Sequence, residues 1–241
     1  MEQICNHEKL YIVIPAYNEQ ETIETVIQDW YPIIEKIGND SKLVIIDDGS
    51  KDDTYKIMQE CAKTREAFEP LTKPNGGHGA TILFGYQYAL DQGADYIFQT
   101  DSDGQTKSEE FWAFWERRNE YDMVIGHRNK REDGISRVFV TKVLKYVIRI
   151  CFGVTVTDAN TPFRLMKTNT LKKYIGLIPE NYNLSNVLIS VIYEKKGCGV
   201  KFIPITFRAR QGGTNSINFH KIIKIGKNAV HDFTVINKML E

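Results

Sequence analysis

Short apolar segments alternate with helical segments through residue 126, and this alternation constrains the fold more than any other feature. In residues 19–37, apolar side chains recur at three- and four-residue spacing, which indicates a helix. Buried strands separated by longer helices are typical of a mostly parallel sheet with helices on both faces. We therefore predict an α/β fold with a Rossmann-like, mostly parallel sheet flanked by helices. Its first five strands are predicted at 10–15, 42–46, 70–73, 96–99 and 123–126.

Polar residues follow four of these segments, at the point where each strand ends. In an open parallel sheet, ligands bind beyond the carboxyl ends of the strands, which share one edge. The four clusters therefore predict one composite site, and the alternative is a set of unrelated polar turns. The clusters are Ala16-Tyr17-Asn18-Glu19, Asp47-Asp48-Gly49-Ser50, Asn75-Gly76-Gly77-His78-Gly79 and Asp101-Ser102-Asp103.

Asp101 and Asp103 come directly after the fourth strand, and Gln105 adds a side-chain carbonyl oxygen two residues later. Side chains at i and i+2 can converge where the backbone leaves a strand. Hard oxygen ligands of this kind suit Mg²⁺ or Mn²⁺, which keep waters and phosphate oxygens as further ligands. The acidic pair alone is a weak signal, because many loop acids are simply solvated.

Taken in chain order, the clusters resemble glycosyltransferase family 2, beginning with Pro15-Ala16-Tyr17-Asn18-Glu19. Three further motifs are similar to its dolichyl-phosphate mannosyltransferase and bacterial polyprenyl-phosphate sugar transferase branch: Asp101-x-Asp103-x-Gln105, Gly126-x-Arg128 and Asp158-x-x-Thr161-Pro162-Phe163-Arg164. The resemblance covers nearly the whole chain. It implies a GT-A fold, a UDP- or GDP-sugar donor, a Mg²⁺ or Mn²⁺ cofactor and inverting transfer of a hexose to a polyprenyl phosphate.

The resemblance also implies which residues contact the donor. Asp47 or Asp48 would read the base or ribose, although both residues also suit a turn and a helix cap. The glycines would let backbone N–H groups approach the donor beside a helix N-terminus, with His78 as a loop residue near the diphosphate. The implied nucleotide-sugar contacts are Pro15, Ala16, Tyr17, Glu19, Asp47, Asp48, Gly77, Gly79, Asp101 and Ser102, and the implied metal ligands are Asp101, Asp103 and Gln105.

The acceptor decides whether the reaction needs a base. A lipid phosphate is already an anion, whereas a sugar hydroxyl must lose a proton to a group such as a carboxylate. Asp158 is the candidate base, and the alternative is that it pairs with Arg164 or caps the following turn. The predicted catalytic residues are Asp101, Asp103, Asp158 and Arg164, and the predicted acceptor-phosphate ligands are Arg128, Arg137, Arg210 and Ser216.

The sequence departs from the branch at two places, and the first leaves the acceptor open. Thr161-Pro162 stands where the relatives have Ser-Gly, and the proline stiffens the turn and removes an N–H group. Ile217 stands where their basic loop has lysine, although the loop 210–216 is still predicted to close over the donor. A glycan hydroxyl in surface-polysaccharide synthesis is the alternative acceptor. A catalytically silent sugar-nucleotide-binding subunit is the alternative of another class.

Composition excludes several classes of partner. The 241 residues contain 31 Lys and Arg against 31 Asp and Glu, so the bulk charge predicts no nucleic-acid partner. The four cysteines are scattered, which argues against zinc and a disulfide scaffold. The sequence shows no signal-peptide core and no apolar run of the ~18–20 residues that span a bilayer. The chain is therefore predicted to be cytoplasmic, with peripheral contact at the inner membrane face as a hypothesis.

The second half of the chain has a different pattern. Its excess of lysine and arginine predicts an anionic partner, a phosphate or a membrane. The basic, apolar-striped segments 136–151 and 219–240 suit either a membrane surface or a core with solvated lysines. One domain, 1–241, is predicted, with a nucleotide-sugar half (1–126) and an acceptor half (127–241) that ends in an amphipathic helix. Further predicted elements are helices 80–90, 109–119 (capped by Ser108), 136–151 and 184–195, and strands 154–157 and 200–207.

Overall fold

The computed structural model describes residues 8–128, 135–208 and 232–238. Within them the strands form one seven-stranded sheet with the order β3-β2-β1-β4-β6-β5-β7. Strand β6 runs antiparallel to β4 and β5, and the other described neighbours pair in parallel. This confirms the predicted mostly parallel α/β sheet. The strands are β1 (Leu10–Ala16), β2 (Lys42–Asp47), β3 (Phe68–Thr72), β4 (Tyr96–Gln99), β5 (Met123–Arg128), β6 (Arg164–Lys167) and β7 (Val200–Ile205).

Helices cover both faces of the sheet. The described α-helices are α1 (Ile23–Ile37), α2 (Thr54–Ala62), α3 (His78–Asp91), α4 (Phe111–Trp115), α5 (Ile135–Phe152), α6 (Thr168–Tyr174) and α7 (Ser185–Lys195). Short 3-10 turns at Ser108–Glu110 and Ile175–Leu177 precede α4 and follow α6. A further helical segment covers 232–238.

Strand β1 shows how one apolar run supplies two cores. All seven of its residues are buried. Leu10, Ile12 and Ile14 belong to the core that includes α1, whereas Tyr11 and Val13 belong to the core that includes α3 and α7. Successive side chains of a strand point to opposite faces, so a continuous apolar run is what a doubly covered strand requires. Gly85 lets α3 approach closely, because a Cβ there would lie 2.5 Å from a methyl group of Val13.

The strands predicted in the first half are confirmed, but two of its helices differ. Helix α3 begins at His78 and not at residue 80, so His78 lies on the first helical turn rather than in a loop. In place of the predicted helix 109–119 are the 3-10 turn and α4, and Ser108 is the first residue of the turn, with Lys107 at the N-cap position. Phe111 and Phe114 pack edge-on against Phe98, with centroids 5.0 and 6.1 Å away, and this tertiary packing fixes the short element.

The second half differs more from prediction. Residues 154–157, predicted as a strand, have no regular structure, and the strand of this region is β6. It lies between β4 and β5, with Arg164 opposite both Gln99 and Ile125. A four-residue strand that starts with arginine and ends with lysine has too little apolar pattern to be recognised. Helix α6 was missed for a similar reason, since four of its seven residues are Thr or Lys.

Helix α5 is the longest described helix, with 18 residues. Leu144, Val147 and Cys151 pack beside the buried residues Ile148 and Phe152 in the core on the α7 side. No helix in the described ranges has both the length and the apolar character needed to cross a bilayer.

Candidate functional site

The loops after β1 and β2 are joined by hydrogen bonds at the carboxyl edge of the sheet. The N–H group of Asn18 donates to Ser50 Oγ at 2.8 Å, and the N–H group of Lys51 donates back to Asn18 Oδ1 at 2.9 Å. The N–H group of Glu19 donates to Thr54 Oγ1 at 2.8 Å. Pro15 and Ala16 are buried beneath these bonds, along with Glu19. Tyr17 is 42% exposed, so within this turn it presents a large side chain to solvent.

Asp47 and Asp48 are buried, and their carboxylates bind groups of the protein itself. Asp47 accepts from the N–H group of Ser50 at 3.1 Å and from the Thr72 hydroxyl at 2.9 Å. Asp48 accepts from Lys73 Nζ at 2.5 Å. Burial raises the pKa of Asp48, but hydrogen bonds from Lys73 and from nearby backbone N–H groups lower it by more, so the net shift is downward. Of the two alternatives for this pair, these contacts favour a structural turn over direct base reading.

The glycine loop contributes to packing more than to an open phosphate cradle. The N–H groups of Gly76 and Gly77 donate to Asp48 at 2.9 and 2.8 Å, which engages both backbone donors within the protein. At Gly79, a Cβ would lie 2.1 Å from the carbonyl oxygen of Tyr182. Gly79 is therefore required for the contact between α3 and the segment before α7. The N–H groups of Gly76 and Gly77 are thus engaged by Asp48, and donor contact at Gly77 and Gly79 stays a prediction.

Asp101 lies just beyond β4 and contacts His78 on the first turn of α3. His78 Nε2 is 3.0 Å from Asp101 Oδ1, and the His78 side chain is half exposed. Burial lowers the pKa of His78, but the charges of Asp101 and Asp103 and the hydrogen bond to Asp101 raise it by more. The net shift of the His78 pKa is therefore upward. The sequence placed His78 near the diphosphate but gave no signal for this pairing across 23 residues.

The loop from Asp101 to Gln105 is internally ordered. Asp103 Oδ1 accepts from the N–H group of Gln105 at 3.1 Å, and Gly104 has a φ of 69°, in the left-handed region. Gln105 is buried, and its Nε2 donates to the carbonyl of Arg208 at 2.9 Å. Ser102 is also buried, and its carbonyl accepts from the Thr22 hydroxyl at 3.4 Å. Asp101, Asp103 and Gln105 are thus brought to one short loop at the carboxyl edge.

The donor set of this loop fits a hard divalent cation that shares its ligands with a phosphate. Within the described residues, no three His, Cys, Asp or Glu side chains are grouped as a metal site. A magnesium-type ion needs only one or two protein carboxylates, because waters and phosphate oxygens complete its octahedron. Asp101 and Asp103 supply such carboxylates. The hydrogen bond from Gln105 Nε2 to Arg208 leaves Oε1 as the remaining acceptor of that amide.

Asp158 pairs with Arg128 at the end of β5. Arg128 Nε and Nη2 donate to the two carboxylate oxygens at 2.9 and 2.8 Å, a bidentate geometry. The guanidinium also lies 5.1 Å from the ring centroid of Phe207, a contact that the sequence gave no reason to expect. The prediction that Asp158 pairs with Arg164 is therefore wrong, because its bidentate partner is Arg128.

Arg164 is fully buried, and its side chain donates hydrogen bonds to the turn that precedes it. Its guanidinium donates to the carbonyls of Thr161, Asn186 and Ala159 at 3.1, 3.0 and 3.3 Å. Ser190 Oγ completes the set at 3.4 Å. Burial lowers the pKa of Arg164. The structure contradicts the prediction that this side chain is catalytic or grips phosphate, since it has no exposed surface and its N–H groups are used internally.

Three predicted phosphate ligands cannot be placed in this geometry. Arg210 and Ser216 lie outside the described residues, and so does the predicted closure of the loop 210–216. Arg137 belongs to α5, but its side chain is likewise outside the described part of the chain. Lys73, the partner of Asp48, was missed, and its position two residues before the glycine cluster was the signal available.

The sequence and the described fold are similar to known proteins. Residues 11–175 match the family model for glycosyl transferase family 2. The chain belongs to this family, which confirms the recognised resemblance. Solved structures with similar folds include glucosyl-3-phosphoglycerate synthase from Mycobacterium tuberculosis in complex with phosphoglyceric acid, with a TM-score of 0.67 and 17% identity over 95% of this chain and 80% of that one. The same enzyme in complex with Mn²⁺ and UDP-glucose gives a TM-score of 0.66 and 16% identity, over 96% and 79%.

Two relatives share the name undecaprenyl-phosphate 4-deoxy-4-formamido-L-arabinose transferase. The protein from Pectobacterium atrosepticum is 24% identical over 226 residues, which cover 89% of this chain and 64% of the relative. The protein from Klebsiella pneumoniae is 24% identical over 220 residues, covering 90% and 65%. The chain therefore spans less than two thirds of the length of these relatives.

Proposed function

We propose that the protein transfers a sugar from a nucleotide diphosphate to a polyprenyl phosphate. Membership in glycosyl transferase family 2 supports sugar transfer, and the two relatives are named for an undecaprenyl-phosphate acceptor. Their names specify an arabinose derivative, whereas one solved neighbour is titled with UDP-glucose. The transferred group is therefore proposed to be a glycosyl group, which need not be the hexose predicted from sequence. The base of the nucleotide donor is uracil or guanine.

The donor diphosphate is proposed to lie against the loop of Asp101, Asp103 and Gln105. These residues would hold Mg²⁺ or Mn²⁺ through two carboxylates and Gln105 Oε1, and the ion when bound would neutralise charge on the leaving nucleoside diphosphate. His78 orients Asp101 by its hydrogen bond. Tyr17, exposed on the neighbouring loop, offers an aromatic face for the base.

The Arg128–Asp158 pair is the observation that favours a phosphate acceptor. A general base needs a carboxylate oxygen that can reach the substrate hydroxyl. Both oxygens of Asp158 instead accept hydrogen bonds from Arg128, at 2.8 and 2.9 Å. An acceptor phosphate needs no base, and Nη1 of Arg128, which neither bond to Asp158 uses, is a charged donor for it at this edge. The pair thus suits a site where an anion is bound and attacks without losing a proton.

A hydroxyl acceptor is the second candidate. A solved neighbour of this fold is titled with phosphoglyceric acid, a compound that carries hydroxyl as well as phosphate oxygens. The third candidate, a catalytically silent subunit, is disfavoured by Asp101 and Asp103, because a pure binding role would not require both carboxylates at the strand end.

The test is sugar transfer to a short-chain polyprenyl phosphate from a panel of labelled UDP-, GDP- and dTDP-sugars with Mn²⁺. Asp158→Asn keeps an oxygen that accepts from Arg128, so we expect turnover within about tenfold of wild type. Loss of a general base would cost about 10²–10⁴-fold. Asp122→Asn, at a half-buried carboxylate bonded to Thr170 and Gly199, is the matched control. Transfer to a glycan hydroxyl but not to the lipid phosphate would overturn the proposal.

We further propose that α5 contacts an anionic lipid surface near the acceptor. Val143, Tyr146 and Ile150 form an apolar ridge and are 44%, 67% and 65% exposed. At 100° per residue they share one side of the helix, between its core-facing side and a basic ridge. That basic ridge consists of Lys142, Lys145 and Arg149, and α5 contains no Asp or Glu. An apolar ridge beside a basic ridge is the pattern of interfacial helices.

Liposome flotation tests this surface. The variant Tyr146→Ser/Ile150→Ser should float less than wild type with vesicles that contain anionic lipid, and wild type should float poorly with neutral vesicles. Phe84→Ser removes a 41%-exposed aromatic residue from α3 and is the matched control. Equal flotation of all three proteins would remove the proposed contact, and a dimer detected by light scattering would assign the ridge to a second copy of the chain.

A further inference from the structure

Gln105 joins two segments of the chain that are 103 residues apart. Its side-chain Nε2 donates to the carbonyl of Arg208 at 2.9 Å, and its own carbonyl accepts from the N–H group of Arg208 at 2.8 Å. Gln105 is 7% exposed and Arg208 is exposed, so the side-chain bond is partly buried. Two bonds between one pair of residues fix orientation as well as distance. This pairing is independent of metal ligation, which would use Oε1.

The segment reached by Gln105, residues 206–208, has further partners. The N–H group of Thr206 donates to both carboxylate oxygens of Glu110, at 3.1 and 3.0 Å. The ring of Phe207 lies 5.1 Å from the guanidinium of Arg128. Arg128 in turn holds Asp158. Residues 206–208 therefore contact both Gln105 of the acidic loop and Arg128 of the Arg128–Asp158 pair.

We propose that Gln105 is a positioning residue that fixes the acidic loop relative to the Arg128–Asp158 pair through residues 206–208. Within the proposed function, on which this inference rests, the loop faces the donor and the pair faces the acceptor. In-line transfer requires the two reacting groups to be held at a defined separation and angle, and small displacements are costly. Gln105 fixes the distance between the donor-binding loop and the acceptor-binding pair from the side of the loop. It does so because its side-chain amide and its backbone carbonyl both bind Arg208.

Two substitutions separate the clamp from metal ligation. Gln105→Leu removes both amide functions, whereas Gln105→Glu keeps an oxygen ligand but loses the donor and places a carboxylate oxygen against the Arg208 carbonyl. Hydrogen exchange followed by mass spectrometry reports the peptide that contains residues 203–208, and the probe is Mn²⁺ alone. Thr170→Val, which removes a buried hydroxyl bonded to Asp122 before the amino end of β5, is the matched control.

Without metal, both Gln105 variants should exchange about tenfold faster at residues 203–208, and Thr170→Val should match wild type there. With Mn²⁺, wild type should gain protection in residues 100–107 and also in 203–208, whereas Gln105→Glu should gain it only in 100–107. Unchanged exchange at 203–208 in both variants, or transfer of protection in Gln105→Glu as in wild type, would overturn the clamp. If Mn²⁺ protects nothing in wild type, the proposed metal site fails, and the metal-free comparison still decides the clamp.

Discussion

Two acidic clusters at the same edge of the sheet have different partners and different exposure. Asp47 and Asp48 follow β2, are buried, and bind Ser50, Thr72, Lys73 and the glycine loop. Asp101 and Asp103 follow β4 and are only partly buried, and Asp101 contacts the half-exposed His78. The residue types and the position relative to a strand are the same in both clusters.

The difference shows that the partners of a carboxylate decide its role. Asp48 neutralises a lysine and satisfies two backbone N–H groups that would otherwise be unpaired, so it stabilises the fold. Asp101 keeps access to solvent at the sheet edge, so it remains available to a ligand. Activity and stability measured in parallel on variants of these residues separate a structural role from a ligand-binding role.

Asp101→Asn should have the largest effect, and on activity alone. Losing one carboxylate of the loop should lower kcat about 10²–10³-fold, because charge on the leaving diphosphate would be less well neutralised. The melting temperature should change little, since the His78–Asp101 contact is partly exposed. Turnover and thermal unfolding of the same preparation check this. A large loss of stability with normal turnover would instead assign Asp101 a structural role like that of Asp48.

Gly79→Ala should lower stability by about 2–3 kcal/mol, because its Cβ would lie 2.1 Å from the Tyr182 carbonyl, and backbone must move to relieve the clash. Gly176→Ala is the control, since a Cβ there meets nothing within 4 Å. Urea unfolding of both variants measures the difference. If Gly79→Ala unfolds like Gly176→Ala but binds nucleotide more weakly, the glycine loop belongs to the donor site after all.

Asp48→Asn should cost about 2 kcal/mol at neutral pH, as expected for hydrogen bonds to a buried charge. The folded-state pKa of Asp48 is lowered below its unfolded value of about 3.9. Its contribution is therefore fully present above that value and is lost as the pH falls through the folded-state pKa. Thermal unfolding of wild type and variant between pH 7 and pH 3 should show the two curves converging at low pH. A constant difference would mean that the charge of Asp48 contributes nothing.

The sequence predicted the first half of the fold well, because buried parallel strands are continuous apolar runs that need no partner to be recognised. Leu10–Ala16 and Tyr96–Gln99 are of this kind. Strand β6 could not be found, since Arg164–Lys167 is a strand only because β4 and β5 lie on either side of it. Arg164 was predicted to be catalytic because its motif can be read from the sequence. Its complete burial depends on tertiary packing and could not be read in the same way.

The polar clusters and their order along the chain were enough to recognise the family. They also indicated the edge of the sheet where the clusters meet, because parallel strands bring their carboxyl ends together whatever the helices contain. The tertiary structure decided which charges are used internally. Arg128 rather than Arg164 holds Asp158, and Gln105 reaches Arg208 across 103 residues. Such partners depend on distances between segments far apart in the chain, and a pattern of residue types carries no information on those distances.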